Sequence, residues 1–443
     1  MKRCSNLKTL LVVIVCVLVN LGGVSQAQTP SFSGIGGTSS LNQTHAIAIS
    51  DDGSTIAGFT TSDWTGGAYG FRWTPFFGIE YIGRPPGSYL GETWLSDISG
   101  DGRIVVGMGR SWYYVFEGFL WEEGVGFLVS FPGRPNAISS SGLVVVGGAS
   151  DGAWRWSADT GLAYLGSGIA NDVSADGSVI VGEGGSAWRW TEGTGMVQLG
   201  GPGTNAFGVS ADGAVAVGSG GGPSGTDAFR WTQATGMVGL GHLPEGTYSV
   251  ANATSGDGSI VVGYSDLGGT DAEAFIWDPI YGMRNLRDVL VNELGLDLTG
   301  WSLRQVTDIS PDGHTLVGYG YNPDGRGEGW IAVIPDLVRR INAAVDFNPD
   351  VLTLRSAIPQ ITCYIRLPAG YSVANIDLNS VLLNGQVLAA SVQIDTKKQV
   401  ATAKFNRSAM SGILVPGVVK LTVTGKLPSR TVFKGIGTIT VQK

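Results

Sequence analysis

The chain has 443 residues and 70 glycines, about 16 %, roughly twice ordinary usage of about 7 %. Charged residues make up only 14 %, and apolar residues reach 43 %, enough for a large core, so wholesale disorder is excluded. Collagen is excluded because the glycines keep no three-residue period, and a net charge of −8 argues against nucleic acid as the main partner.

The N-terminus is laid out like a secretory signal. Lys2, Arg3 and Lys8 precede an apolar run from Leu10 to Val19, and Ser25-Gln26-Ala27 offers small residues for cleavage after Ala27. The run is shorter than the roughly 20 residues that span a bilayer; a non-cleaved anchor is the alternative. The expectation is a secreted protein, extracellular, at the cell surface or periplasmic, with residues 1–27 removed. Cys4 and Cys16 lie in that leader, which leaves Cys363 alone and permits no intrachain disulfide.

Next comes a repeat. Asp172-Val-Ser-Ala-Asp-Gly-Ser-Val-Ile-Val-Gly182 followed by Ala187-Trp-Arg-Trp190 recurs with variations, anchored on serines 50, 99, 139, 174, 210, 255 and 310. The spacings of 49, 40, 35, 36, 45 and 55 residues surround the length of a propeller blade. Each unit reads as four short strands: a Gly-Met-x-x-Leu-Gly segment such as 195–200, a segment ending at the serine, the run after Asp-Gly, and the Ala-Trp-Arg-Trp patch. The Asp-Gly pair supplies the turn, because glycine accepts positive φ and aspartate bonds its own backbone. Copy one is expected to use Phe32–Gly37 as its own first strand. The expected fold is a seven-bladed β-propeller over 28–335; a β-solenoid is the alternative.

Three repeated residue types have two readings each. The turn aspartates are turn-formers or calcium ligands. The recurring tryptophans (Trp73, Trp121, Trp156, Trp190, Trp231, Trp277, Trp330) pack between blades or form a carbohydrate platform. Arg72, Arg155, Arg189 and Arg230 stack and bond strand edges or bind anions. In each pair the structural reading is favoured.

After Pro335 the character changes. Residues 343–443 carry eleven Lys/Arg against four Asp/Glu, net +7, whereas residues 28–342 carry fourteen against thirty-two, net −18. Strand patterns at 351–354, 361–367, 381–383, 392–394, 401–405, 418–424 and 437–441 suggest an immunoglobulin-like β-sandwich over 346–443, with 336–345 as linker. Cys363 falls on a core strand as a small buried hydrophobe.

The pattern S-x-D-G-x-x-V-V-G, A-F-R-W, G-M-x-x-L-G resembles the HAF repeats of bacterial extracellular and surface proteins. The seventh unit (Gly282-Met-Arg-Asn-Leu, Gly300-Trp-Ser-Leu, Gly318-Tyr-Gly-Tyr-Asn-Pro) resembles their closing repeat, with a short helix at 286–294. Ser310-Pro-Asp-Gly resembles the strand turns of TolB-type propellers, which implies binding. The segments 361–385, 404–408 and 421–427 resemble a C-terminal β-sandwich module of secreted proteins, although Asn406 stands where that module more often has aspartate. These resemblances imply no catalytic residues.

His45, His242 and His314 have no partner at metal-ligand spacing, no Gly-x-Ser-x-Gly elbow meets a helix, and the glycine loop at 218–225 lacks a following helix or lysine. The expectation is therefore no metal, no cofactor, no catalytic residues and no enzyme. Trp64, Tyr69, Tyr89, Trp94, Trp112, Tyr113 and Tyr114 lie outside the repeating tryptophan position and are expected in inserted loops of the first two units. Loops on a rigid scaffold are where recognition sits, so these seven are the candidate ligand surface, for polysaccharide or a protein partner. The alternative function is a secreted polysaccharide hydrolase or lyase using acidic residues of the central face.

Overall fold

The computed structural model describes residues 29–442 apart from 37–41, 63–66, 87, 112–115, 222–225, 269–270, 280, 335–338, 357, 411 and 428–430. The expected leader, 1–27, lies outside the described residues.

The chain is all-β. Between Ser31 and Val333 it forms seven four-stranded antiparallel sheets among the described residues. Blades 1 to 6 span 42–81, 88–131, 134–166, 169–202, 205–241 and 249–285, and blade 7 holds 302–333. Blade 4 shows the plan: Ile169–Val173 at the axis, then Val179–Glu183, Ser186–Thr191 and Gly195–Pro202 outward. The Gly-Met-x-x-Leu-Gly segment is thus the outermost strand of the preceding blade, not the first strand of its own unit. The same correction applies to copy one. Ser31–Gly34 pairs antiparallel with Gly327–Val333 and completes blade 7, closing the ring on the two ends of the propeller segment. This closure is what a solenoid lacks.

The anchoring motif explains the hairpin between the two inner strands. Ser174 Oγ donates to Asp176 Oδ1 (2.8 Å) and accepts from Val179 N (2.9 Å), while Asp176 Oδ1 accepts from Ser178 N (2.9 Å). Gly177 sits at φ 78°, a region costly for side-chain residues. The same bonds recur at Ser50, Ser99, Ser210, Ser255 and Ser310, so the repeated aspartates are turn-formers. In blade 3 the Ser139 and Ser141 hydroxyls pair instead.

Each junction between neighbouring blades has its own apolar core, and the ring is the sum of these cores. Between blades 3 and 4, Val144, Val146 and Ala153 meet Ala170, Ile180 and Trp188, with Trp190 and Met196 half-buried against them. Trp73, Trp121, Trp156, Trp231 and Trp277 occupy the Trp190 role at other junctions, so the recurring tryptophans are packing residues. Trp330 is a correction. It pairs with Gly318 as Trp188 pairs with Gly182, and the recurring position in blade 7 is Ala332. Trp330 therefore belongs with the fully buried inner ring Phe71, Trp154, Phe229 and Phe275. The glycine opposite that ring is sterically required: a Cβ at Gly182 would lie 2.1 Å from Ile169 O and 2.4 Å from Trp188 Cζ2.

The expected helix is present as Leu286–Asp288 continuing into a π-turn, Val289–Glu293, and packs Leu286, Val289 and Leu290 between blades 6 and 7.

The C-terminal unit holds two sheets over one core. All seven expected strand segments are strands. Ala344–Asn348, Gln360–Arg366, Val400–Asn406 and Ser391–Asp395 form one sheet. The other is built on the long hairpin Gly417–Leu427/Thr431–Gln442. Arg339–Asn342 pairs parallel with Thr431–Gln442, so part of the segment expected as linker is a strand of this unit. Cys363 is fully buried in the core, and burial pushes its thiol up to about 12.

Candidate functional site

Two features of the propeller have the shape of a site: the axial cavity and a cleft on blade 2.

The axial cavity holds about 120 Å³, room for about four waters at roughly 30 Å³ each. Its wall is the residue before each anchoring serine: Ile49, Ile98, Ile138, Val173, Val209, Thr254 and Ile309. Asp97, Asp172 and Asp308, each two residues before a serine, are half-buried in this wall. Each carboxylate clasps two blades. Asp172 Oδ1 accepts from Val173 N and Oδ2 from Val209 N of blade 5, both at 2.7 Å. Asp97 bridges Ile98 N to Ile138 N of blade 3 in the same way. Asp308 bridges Ile309 N to Ile49 N across the ring closure. Burial pushes Asp172 and Asp308 up to about 7 and Asp97 well above the usual carboxylate range, against the lowering effect of these hydrogen bonds.

One position earlier, Asn136, Asn171, Asn252 and Thr307 donate to a carbonyl of the next blade. The residue after the serine donates its backbone N–H to its counterpart: Asp51 to Gly100, Gly100 to Ser140, Ala175 to Ala211, Ala211 to Gly256 and Gly256 to Pro311. Arg72, Arg189 and Arg230 each donate to the turn-glycine carbonyl of the following blade, and Arg72 lies over Trp121 at 5.9 Å. These three arginines are inter-blade struts, whereas Arg155 Nε is buried without a hydrogen-bond partner. The axial carboxylates have their oxygens engaged by backbone, and no group of His, Cys, Asp and Glu is placed to hold a metal among the described residues. The axis is a fastening built from hydrogen bonds.

The cleft is different in kind. It encloses about 260 Å³ between Pro85-Pro86, the connection from blade 1 to blade 2, and the outer strands of blade 2, with Glu117, Phe119, Phe127 and Leu128 on its wall. Gly109 admits Pro85 here; a Cβ would lie 2.8 Å from Pro85 Cγ. On the other face of the same strand, buried Glu92 pairs with Arg110 at 3.1 Å, with the arginine partly open to solvent.

Of the seven aromatics singled out by sequence, Tyr69 and Trp94 have described side chains. Both lie on strands, not in loops: Tyr69 on Ala68–Thr74 and Trp94 on Ser88–Ile98. Both are half-buried. Tyr69 meets Tyr81 edge-on at 6.3 Å, and Trp94 meets half-exposed Phe116 at 5.5 Å. Tyr89 lies on the Trp94 strand, and its side chain, like Trp64, Trp112, Tyr113 and Tyr114, lies outside the described residues. Strand order puts Tyr69, Tyr89 and Trp94 toward one end of the propeller, where the second strands of blades 1 and 2 end (Ser62, Ser111) and their third strands begin (Ala68, Phe116), opposite the Ser-x-Asp-Gly turns.

Sequence reasoning missed Asp97, Asp172 and Asp308. The signal was the recurrence of Asp-Ile/Val-Ser at 97–99, 172–174 and 308–310.

No family model and no curated protein matches the chain. Solved structures similar to it are β-propellers. The propeller domain of the Trilobed protease from Pyrococcus furiosus is 11 % identical, with a TM-score of 0.44 over 66 % of this chain and 95 % of that one. A putative TolB from Agrobacterium tumefaciens is 14 % identical, with a TM-score of 0.37 over 68 % and 93 %. The acylaminoacyl peptidase of Pyrococcus horikoshii is 8 % identical, with a TM-score of 0.43 over 75 % of this chain and 59 % of the peptidase. These likenesses concern fold alone. They do correct one expectation: similar propellers include an enzyme and a protease domain, so the repeats give no ground for excluding catalysis. No helix among the described residues is long and apolar enough to cross a membrane.

Proposed function

We propose that the chain is a secreted recognition protein of the HAF-repeat type, in which a propeller over 28–335 presents a polysaccharide-binding face on blades 1 and 2 and an immunoglobulin-like module follows it. The observation that carries the reading is the 260 Å³ cleft of blade 2, at the end of the ring toward which Tyr69, Tyr89 and Trp94 lie. A sugar presents apolar C–H faces and hydroxyl edges. Aromatic rings suit the first, and Glu117 on the cleft wall suits the second.

The test is a panel of soluble polysaccharides titrated against the protein, with released reducing ends measured in parallel. Binding that falls about tenfold or more in Trp94→Ala/Trp112→Ala, about 1.4 kcal/mol or more, supports the reading, provided thermal unfolding stays cooperative. Equal binding by the variant removes the site from this face. Reducing-end release makes the recognition face that of a hydrolase or lyase. Binding to a surface protein alone replaces the polysaccharide.

A further inference from the structure

The opposite end of the propeller carries a feature that the fold does not use. The outer hairpin of blade 1 turns through Pro75, Phe76 and Phe77, and the two rings stand 86 % and 67 % exposed, edge-on to each other at 4.7 Å. The equivalent hairpins of blades 3, 4 and 5 show what this turn requires. There the position of Phe77 is Thr160, Thr194 or Thr235, and each hydroxyl bonds that of Ser157, Thr191 or Thr232 at 2.7–2.8 Å. The position of Phe76 is Asp159, Gly193 or Ala234. Blade 1 keeps a backbone bond from Phe77 N to Thr74 Oγ1 and replaces the polar tip with two phenyl rings.

The C-terminal unit has a cleft of about 540 Å³ lined by Leu354, Ser356, Ile358, Pro359, Arg407 and Leu414. That volume is within the roughly 300–1,000 Å³ of clefts that bury a ligand. Leu354 and Ile358 are 41 % and 39 % exposed. The Arg407 guanidinium donates to the carbonyls of Thr353, Leu354 and Ser356. A guanidinium fixed in this way is a stacking partner for an aromatic ring.

We propose that the chain self-associates head to tail, with the Phe76–Phe77 tip of one copy seated in the Leu354/Ile358/Arg407 cleft of the next. Charge selects this occupant. The tip belongs to the segment of net −18 and the cleft to the segment of net +7, so a second copy brings the opposite sign to each surface. Tip and cleft are different surfaces, so the contact is heterologous and each added copy leaves one of each free, which extends a chain of subunits.

Sedimentation velocity of the full chain tests this over about 1–100 µM, where micromolar contacts populate, at about 0.05 and 0.5 M salt. Mass should rise with concentration, and association should weaken several-fold at high salt. Phe76→Ser/Phe77→Ser should be monomeric, as should Ile358→Glu and Ser408→Trp; Ser408 is an exposed residue of the cleft lining, so the tryptophan obstructs the cleft without removing packing. Mixing the tip variant with a cleft variant should give a 1:1 dimer and nothing larger, because one working tip and one working cleft remain. A monomeric parent across the range, association retained by the tip variant, or a mixture that stays monomeric overturns the proposal. Polysaccharide binding at blades 1 and 2 is a separate readout that these variants leave intact.

Discussion

Apart from the Phe76–Phe77 tip, blades 3 and 4 differ from blades 1 and 2 at one end. In blades 3 and 4 the second and third strands are joined by two residues, 150–151 and 184–185, and blades follow one another at once. In blades 1 and 2 the corresponding links are 63–67 and 112–115, and the connection between them, 82–87, carries Pro85 and Pro86. At the other end both pairs keep the serine-centred turn, and along the strands both keep the glycine opposite a buried ring. The positions that repeat are therefore those that fasten one blade to the next, and variation collects where nothing is fastened. This division separates the positions that hold the fold from those left free to vary.

The comparison is broken hardest at the fastening positions. Gly182→Val should cost more than about 3 kcal/mol, because its Cβ overlaps a backbone carbonyl and the Trp188 ring. Gly193→Ala, at a tip with nothing within 4 Å, should change stability by less than about 0.5 kcal/mol. Chemical denaturation of the two variants compares them directly.

The axial aspartates come next. Asp172 and Asp308 stand near 7 in the folded chain against 3.8 for the ordinary group, so the folded state keeps protons that the unfolded chain releases. Stability from this source is present below pH 4 and is lost as pH rises toward 7. The turn aspartates Asp52, Asp101, Asp176, Asp212 and Asp312 have lowered values and act in the opposite sense, losing their contribution below about pH 4. Thermal unfolding should therefore be highest near pH 4, fall by several degrees as pH rises to about 7, and change little above it. Asp172→Asn should lower stability at every pH and flatten the slope; an unchanged slope would show that the clasps do not titrate.

A smaller loss is expected from Ser174→Ala, which leaves Val179 N without its acceptor at a buried turn: about 1–3 kcal/mol in a denaturation series. Smaller again is the effect of Trp188→Phe. Four other blades hold phenylalanine at this place (Phe71, Phe119, Phe229 and Phe275), and Trp188 Nε1 is buried without a partner. Relief of that donor offsets lost packing, and the midpoint should move by under about 1 kcal/mol.

What the sequence revealed followed the reach of the interaction. The Ser-x-Asp-Gly turn closes within five residues, so its chemistry is visible in a single copy and is certain in six. The strands of the C-terminal unit were readable from alternation alone. Asp172 was not, because one of its partners is Val209 N, in the next blade. A carboxylate among apolar residues on an inner strand carries no local sign of that bond, and the position is aspartate in only three copies. Trp330 misled for a related reason: Gly-Trp-Ile-Ala-Val offers one aromatic where other copies offer two, and only strand pairing with Gly318 fixes which of the two it is. Ser31–Gly34 was recognisable as a strand, but its membership in blade 7 depends on a partner about 300 residues away.

Hydrogen exchange of the protein with and without the tightest-binding polysaccharide of the panel tests the central claim most directly. Recognition at blades 1 and 2 predicts slowed exchange in 82–95 and 108–130, with 134–202 unchanged. Protection confined to blades 3 to 5, to the axial strands or to 344–442 would contradict it.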